Sequence, residues 1–174
     1  MEFRFCPICA DELASLHSGP DRGRLGCHRG HFVHYENPAV TAFALVERDG
    51  HYLVLKRSQE PYRGRWELPG GFVEERETPA EAVRREIYEE TGLRARALSI
   101  VGAYTSRYGD DGKWTVDVAF YCQAPEGELR LSDESSGSTW AAIEQMPTLA
   151  FAGERSAVAE FKERRAARDK LGPL

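Results

Sequence analysis

Three glutamates, Glu86, Glu89 and Glu90, lie close together beside Arg85 in the stretch REIYEETG. Carboxylates three or four residues apart on a helix repel each other by about 0.2–0.5 kcal/mol per pair. Clustered carboxylate oxygens suit Mg²⁺ or Mn²⁺, and Mg²⁺ often bridges carboxylates to substrate phosphates. A divalent cation between the glutamates would make their repulsion tolerable. The alternative is a solvated acidic helix face, which is common in Glu-rich helices.

The residues around this stretch predict a short helix with defined ends. Thr78 suits the N-cap, Pro79 fits the first helical position, and Glu81 completes a capping box. Gly92 suits the position after the last helical residue. The sequence therefore predicts a helix from Pro79 to Thr91.

The helix must hold the glutamates on one side, next to a turn. At about 100° per residue, Glu86 and Glu90 point in nearly the same direction, and Glu89 flanks them. The preceding stretch LPGG predicts a tight turn whose backbone can approach a ligand closely. A backbone carbonyl exposed in that turn would be a further oxygen ligand.

The rest of the chain predicts a small N-terminal segment followed by an α/β domain. Residues 1–37 contain most of the cysteines and histidines and little apolar sequence, whereas residues 38–174 contain the apolar runs. AVTAFALVE and HYLVLKR predict a hairpin through RDG, and LSIVGAYTS, KWTVDVAFYCQ and TWAAI predict further strands. GERSAVAEFKERRAARDKL predicts a second helix, closed by GP. Strands interleaved with two helices indicate a mixed sheet with helices on its faces.

Composition excludes several classes of protein. The chain of 174 residues has an apolar fraction of 41%, which is typical of a globular protein. Its formal net charge of −5 disfavours an avid nucleic-acid or anionic-membrane binder. No apolar run is long enough for a membrane-spanning helix, and the N-terminus does not resemble a signal peptide. We therefore expect a cytoplasmic protein with reduced cysteines.

The stretch from Gly71 to Leu93 resembles the signature of the Nudix hydrolase family, G-x5-E-x7-R-E-U-x-E-E-x-G-U, in which U is a bulky aliphatic residue. Every defined position is filled here, by Gly71, Glu77, Arg85, Glu86, Ile87, Glu89, Glu90, Gly92 and Leu93. The order of elements from about residue 39 to 162 is similar to the α/β/α sandwich of this family. The resemblance implies hydrolysis of a nucleoside diphosphate linked to another group.

The resemblance also implies roles for these residues. Glu86 and Glu90 would bind the divalent ions together with the Gly71 carbonyl, and Glu89 would be a further ligand or a base. Arg85 would orient a glutamate, and Glu77 would pair with Arg85 or hold a metal-bound water.

The sequence leaves several candidates for the general base and for the substrate contacts. The candidates for the general base are Glu89, Glu90 and Glu134, the last of which also reads as an ordinary exposed loop residue. Arg57 is a candidate for a phosphate contact, and Tyr104 and Arg107 are candidates for contacts to a base. For these three the alternatives are a core aromatic residue and surface arginines.

The N-terminal cysteines resemble the zinc ribbon that some Nudix hydrolases carry before the box. Cys6 and Cys9 form one C-x2-C knuckle, and Cys27 begins a second, but Gly30 stands where the fourth cysteine is expected. His31 follows at once and would complete a tetrahedral site of three thiolates and one imidazole. His34 is a reserve ligand, and His28 lies too close to Cys27 for easy closure. The alternatives are a degenerate site without metal and cysteines that are simply buried and inert.

The complete acidic set favours an Mg²⁺-dependent pyrophosphohydrolase over a catalytically weak nucleotide-sensing or partner-binding module. ADP-ribose or a nucleotide sugar is the first substrate hypothesis, a dinucleotide such as NADH or FAD is the second, and a nucleoside triphosphate is the third. The ribbon-plus-box order resembles NADH pyrophosphatases, but nothing in the sequence matches their array after the box. A nucleic-acid partner is disfavoured by the acidic charge. Family members are frequently dimers, so a homodimer remains open.

Overall fold

The computed structural model describes residues 3–123 and 125–170, apart from the side chains of Ala97 and of residues 168–170. The chain divides into two compact units, one ending at Asn37 and the other beginning at Pro38. No helix in the described part is both long and apolar enough to span a membrane.

The N-terminal unit is built from short pairings and a very small core. Strand β1 (Ala14–Ser15) pairs antiparallel with β2 (Leu25–Gly26). Its buried apolar side chains are Cys6, Leu13 and Cys27. Two of these three are cysteines, so the unit has little hydrocarbon around which to fold.

In its described residues, the second unit contains seven strands, two α-helices and a short 3-10 helix at Ile143–Gln145. In chain order the strands and α-helices are β3 (Ala39–Arg48), β4 (His51–Arg57), β5 (Trp66–Glu67), β6 (Gly70–Phe72), α1 (Pro79–Thr91), β7 (Ala97–Arg107), β8 (Trp114–Gln123), β9 (Ser135–Ala142) and α2 (Ala152–Lys170). Strands β3 and β4 form the predicted antiparallel hairpin, in which Arg48 faces His51.

The strands form one mixed sheet in the order β5-β4-β3-β8-β7, with β6 paired to β3 and β9 paired to β4. The parallel neighbours are β3 and β8, which run in register from Ala39 opposite Thr115 to Glu47 opposite Gln123. Strand β7 returns antiparallel to β8. The helix α1 lies in the connection between the two parallel strands, as parallel pairing requires a long crossover.

The two helices cover opposite faces of this sheet. Along β3, Ala42, Ala44 and Val46 pack in a core cluster with Val83 and Ile87 of α1. The alternate residues Phe43 and Leu45 pack with Ala157 and Val158 of α2. Successive side chains of a strand point to opposite faces, so a strand buried on both sides reads as a continuous apolar run.

Helix α1 has the ends that its sequence predicts. The Thr78 side chain accepts a hydrogen bond from the Glu81 backbone N–H, and the Glu81 carboxylate accepts one from the Thr78 N–H at 2.8 Å. Gly92 has a φ of 70°, and its N–H donates to the Tyr88 carbonyl. The capping box and the left-handed C-terminal glycine therefore fix the length of the helix.

The structure corrects one expectation about the strands. The last strand begins at Ser135 rather than at Thr139, because a Ser/Gly stretch pairs along β4. The segment before α1 is mostly loop and contains the two short strands β5 and β6. Short polar strands of this kind depend on a partner strand, which the local sequence does not reveal. The predicted GP stop after α2 lies outside the described residues.

Candidate active site

A cleft of about 650 Å³ opens on the second unit. Its acidic lining residues are Glu67, Glu74, Glu86, Glu89, Glu90, Asp117, Asp133, Glu134 and Glu154. Arg57 and Arg85 contribute positive charge, and Phe72, Tyr108 and Phe151 contribute aromatic surface. The volume is that of a site for a small organic ligand, and the many carboxylates would repel an anionic ligand unless cations were present.

Arg85 holds the carboxylates of the box together. Its guanidinium donates to Glu77 at 2.7 Å, to Glu86 at 2.9 Å and to Glu89 at 3.1 Å. It also donates to the Phe72 carbonyl at 3.1 Å, which ties α1 to β6. These hydrogen bonds lower the pKa of Glu77 and raise that of Arg85. Arg85 therefore contacts three glutamates at once, and its role in orienting a glutamate for catalysis stays a prediction.

Gly71 lies directly against the Glu86 carboxylate. A Cβ atom at Gly71 would lie 2.3 Å from Glu86 Oε1, which is closer than any van der Waals contact allows. Only glycine brings the backbone this near to a carboxylate. Desolvation raises the pKa of Glu86, although Arg85 opposes this shift. The backbone at Gly71 and the partly desolvated Glu86 carboxylate thus lie close together. A cation bound by oxygen ligands would require such closeness.

Glu90 is the most buried carboxylate of the box, with an exposed fraction of 5%. It accepts a hydrogen bond from the Gly70 N–H at 2.9 Å. Desolvation, followed by the charges of Glu67, Glu86 and Glu134, raises its pKa well above the usual range. A buried carboxylate surrounded by like charges is a costly arrangement, and a bound cation would relieve it.

Glu134 lies near these carboxylates although it is distant in sequence. Its backbone carbonyl accepts from the Ser58 N–H at 2.8 Å, and Ser58 Oγ donates to the Asp133 carbonyl at 2.5 Å. These two bonds fasten the loop before β9 to the end of β4. The position of Glu134 in the lining of the cleft agrees with its prediction as a base candidate, although its role remains a prediction.

Arg57 also lines the cleft, but as half of a buried ion pair. It is bonded to Glu67, its Nε donates to the Pro61 carbonyl at 2.7 Å, and its guanidinium lies 5.1 Å from the centre of the Phe151 ring. Burial raises the pKa of Glu67 to about 7, with Arg57 opposing the shift. Glu154, buried at the start of α2, accepts from the Leu68 N–H at 2.9 Å. No motif in the sequence marks Glu67 or Glu154, which come together from distant parts of the chain.

The structure places the two other predicted substrate contacts away from the lining residues described. Tyr104 belongs to the core cluster beneath α2, and its hydroxyl donates to Glu160 at 2.6 Å. The Arg107 guanidinium lies over the Trp114 ring at 4.9 Å. Residues 104 and 107 both lie on β7, and the cleft receives Ser106 and Tyr108 from this part of the chain instead. Arg107 points to the opposite face of the strand from Ser106, whereas Tyr104 points to the same face as Ser106 but is engaged by Glu160 of α2.

The family to which this chain belongs follows from its sequence together with this geometry. Residues 36–161 match the NUDIX domain. The chain belongs to the Nudix family. As a Nudix hydrolase, it carries every defined residue of the signature on β6, on α1 and in the segments around α1.

Relatives among known proteins extend over most of the chain. The ADP-ribose pyrophosphatase of Methanocaldococcus jannaschii is 38% identical over 121 residues, which cover 70% of this chain and 72% of that protein. The NAD-capped RNA hydrolase NudC of Chromobacterium violaceum is 32% identical over 151 residues, and these span 52% of its length. The crystal structure of a NUDIX hydrolase from Nitrosomonas europaea superposes with a TM-score of 0.74 at 27% identity and covers 95% of this chain and 93% of that one. This likeness confirms the predicted α/β/α sandwich.

The N-terminal unit of this Nudix hydrolase brings together the four residues predicted as zinc ligands. One ligand atom from each of Cys6, Cys9, Cys27 and His31 lies within 4.8 Å of all the others. The Cys9 and Cys27 sulfurs are 3.6 Å apart. Gly30 has a φ of 74°, and its N–H donates to the Cys27 carbonyl at 2.9 Å. This tight turn brings His31 back to the three cysteines.

The other two histidines of this unit have different surroundings. His28 Nε2 lies 3.7 Å from Asp11 Oδ2. The His34 ring lies 5.1 Å from the Phe3 ring, centre to centre. Of the three histidines after Cys27, only His31 belongs to the four-residue cluster with the cysteines.

Proposed function

We propose that this Nudix hydrolase is an Mg²⁺- or Mn²⁺-dependent pyrophosphohydrolase that cleaves a nucleoside diphosphate linked to a second moiety. ADP-ribose or a nucleotide sugar is the first substrate class, and an NADH- or FAD-type dinucleotide is the second. The observation that carries the proposal is that one cleft contains both the box carboxylates and an aromatic, hydroxyl-bearing region. A diphosphate needs the first of these features and a nucleoside the second.

The residues present fit a divalent cation. Glu86, Glu90 and the Gly71 carbonyl would hold it, with Glu89 as a further ligand, because these oxygens are the donors that Mg²⁺ and Mn²⁺ prefer. The close approach of Gly71 to Glu86 and the burial of Glu90 among like charges both support this assignment. When bound, the cation would neutralise the diphosphate charge and lower the pKa of an attacking water.

The chain's own groups would then position the reactants and move the proton. Arg85 fixes the directions of Glu86 and Glu89 by donating to both. Glu134, Glu89 and Glu90 are the carboxylates from which the general base would come, and all three line the cleft. Arg57, held by Glu67, presents a positive charge for a phosphate oxygen. We do not extend a substrate role to Tyr104 or Arg107, because neither residue is among those that line the cleft.

The name of the Methanocaldococcus jannaschii relative, ADP-ribose pyrophosphatase, supports the ranking of substrates. The test is a turnover screen with Mg²⁺ or Mn²⁺ on ADP-ribose, a UDP-sugar, NADH, FAD and a nucleoside triphosphate, with products separated by chromatography. We expect release of a nucleoside monophosphate from ADP-ribose at a higher kcat/KM than from the dinucleotides. Binding of these compounds without turnover of any of them would refute the proposed function.

We also propose that Cys6, Cys9, Cys27 and His31 hold a structural zinc ion. Four protein ligands would fill a tetrahedral site, and a unit with so small a core needs such a link to stay folded. Purified protein should contain one equivalent of zinc by mass spectrometry. Cys27→Ser and His31→Ala should lower this content, whereas the matched control His34→Ala should leave it unchanged. Equal zinc content in all of these proteins would refute the assignment.

A further inference from the structure

Four side chains form a polar patch in the cleft on the sheet face that α2 covers. Thr41 of β3, Ser106 of β7, and Thr115 and Asp117 of β8 all line the cleft. We call these four residues the polar floor. Asp117, Ser106 and Thr115 have exposed fractions of 4%, 5% and 2%, so they are buried groups at the wall of the cleft. None of them belongs to the Nudix signature.

The hydrogen bonds within the polar floor use all of its hydroxyl protons. Thr41 Oγ1 donates to Asp117 Oδ1 at 2.7 Å, and Ser106 Oγ donates to Asp117 Oδ2 at 2.6 Å. The third hydroxyl proton belongs to Thr115. Thr115 Oγ1 lies 3.1 Å from Ser106 Oγ and 3.3 Å from the Ser106 carbonyl, so both acceptors for this proton lie within the polar floor. An aspartate carboxylate has no proton to donate, and each of its oxygens accepts about two hydrogen bonds. The polar floor therefore offers a ligand only acceptors.

The surroundings of the polar floor suit a flat aromatic ligand. Phe72 and Tyr108 lie 5.0 Å apart between ring centres, and Tyr108 stacks on Phe151 at 5.5 Å with an angle of 10° between the rings. These three rings line the same cleft. Aromatic side chains bind planar bases by stacking, whereas a buried acceptor group selects among bases by hydrogen bonding.

Helix α2 holds Asp117 in place. A Cβ atom on Gly153, in the first turn of α2, would lie 2.0 Å from Asp117 Oδ2. The helix backbone thus packs against the carboxylate on one side, while the two hydroxyls fix its oxygens. A carboxylate held by this many contacts is preorganised to select a ligand by hydrogen-bond direction.

We propose that the polar floor binds the exocyclic amino group of the substrate's nucleobase, so that the enzyme prefers amino-bearing bases over their oxo counterparts. This inference rests on the proposed function, because it assigns the nucleobase of the diphosphate substrate to this part of the cleft. Asp117 is the specificity-determining residue. The adenine amino group offers two N–H donors to a surface of acceptors, whereas hypoxanthine places a carbonyl oxygen at the same position. Lone pairs would then face lone pairs in a buried site, and the polar groups on both sides would lose their partners.

The binding test compares AMP with IMP by calorimetry in the presence of Mg²⁺, since these two nucleotides differ only at this group and its neighbouring ring nitrogen. We expect the native protein to bind AMP about tenfold or more tightly than IMP. Asp117→Asn replaces one acceptor oxygen with an N–H₂ donor and should bring the ratio to about threefold or less, or reverse it. Ser106→Ala, a milder change, should lower the ratio in the same direction.

The matched control is Thr105→Val. Thr105 is an exposed neighbour of Ser106 on β7, and its side chain points to the sheet face opposite to that of Ser106. It should keep the native ratio. An unchanged ratio in both Asp117→Asn and Ser106→Ala would overturn the inference, even if those variants were less stable. Equal binding of AMP and IMP by the native protein, or binding of neither, would also overturn it.

Turnover of ADP-ribose and of IDP-ribose separates this inference from the proposed function. If ADP-ribose is hydrolysed and the two substrates have equal kcat/KM in the native enzyme, the proposed function stands and the inference fails. If neither is hydrolysed but AMP binds more tightly than IMP through Asp117, the inference about the nucleobase stands and the proposed reaction fails.

Discussion

Replacing Glu90 with glutamine should stabilise the metal-free protein while removing most of its activity. The change keeps the shape of the side chain and an oxygen that can accept from the Gly70 N–H, now 2.9 Å from Glu90 Oε2. It removes a negative charge from a side chain with an exposed fraction of 5%. Because Glu67, Glu86 and Glu134 act on this charge in the folded state, its removal relieves both desolvation and repulsion.

Two opposing contributions set the size of the stability effect. A hydrogen bond to a neutral amide is weaker than one to a carboxylate, which costs about 1 kcal/mol. Leaving an unpaired ion buried costs several kcal/mol. We therefore expect a net gain of about 1–2 kcal/mol in the free energy of unfolding without divalent ions, and each kcal/mol raises the Tm of a domain of this size by about 3 °C.

The effect on catalysis has the opposite sign. Loss of a charged oxygen ligand should remove several kcal/mol of transition-state stabilisation. At 1.36 kcal/mol per factor of ten, kcat/KM should then fall by about 100-fold or more. High Mg²⁺ concentrations should restore only part of the loss.

The assay combines urea unfolding without added Mg²⁺ with initial rates on the best substrate from the turnover screen. The matched control is Glu163→Gln on α2, where the glutamate is exposed and far along the chain from the box. This control should change neither the free energy of unfolding nor kcat/KM. If Glu90→Gln lowered the stability of the metal-free protein, or left the rate unchanged, the reasoning that Glu90 is a strained cation ligand would be wrong.

Three further changes test the surroundings of the site. Thr78→Ala removes the N-cap of α1 and should lower the free energy of unfolding by about 1 kcal/mol. Thr78→Ser keeps a capping hydroxyl and should retain most of this stability. Equal losses for the two variants in urea unfolding would contradict the capping role. Gly153→Ala should lower the Tm by several degrees in a thermal melt, because the new Cβ would overlap Asp117. Helix propensity alone predicts a higher Tm, and that result would show that the contact between Gly153 and Asp117 is loose. Glu67 has its pKa raised to about 7, so the folded state binds more protons than the unfolded state between about pH 4.5 and 7, and stability should fall as the pH rises through this window. Glu67→Gln should flatten this decline in unfolding experiments at several pH values, and an unchanged slope would assign it to other groups.

The sequence predicted the parts of this molecule that depend on local rules. The helix from Pro79 to Thr91 follows from its caps, and the β3–β4 hairpin follows from two apolar runs around a short turn. The gathering of Cys6, Cys9, Cys27 and His31 follows from knuckle spacing. In each case the residues that decide the geometry lie within a few positions of those that they position.

The remaining parts of the site depend on contacts between distant residues. Glu154 reaches Leu68 across 86 positions, and Asp117 reaches Thr41 across 76. Neither residue stands in a distinctive motif. The stretch WTVDVAF offers one hint, because Asp117 is a charged residue within a strand that is otherwise apolar. A buried charge of this kind is expected only where hydrogen-bond partners or a ligand compensate for its loss of hydration.

Pairing β3 with β8 also sets an order of events during synthesis. Ala39 pairs with Thr115, so the first of these strands leaves the ribosome about 76 residues before the second. At about 5–20 residues per second, that delay lasts roughly 4–15 s. During this interval an apolar strand edge has no permanent neighbour, and exposed edges of this kind recruit strands from other chains. Slow translation between the two strands should therefore lower the yield of native enzyme even when the finished fold is stable.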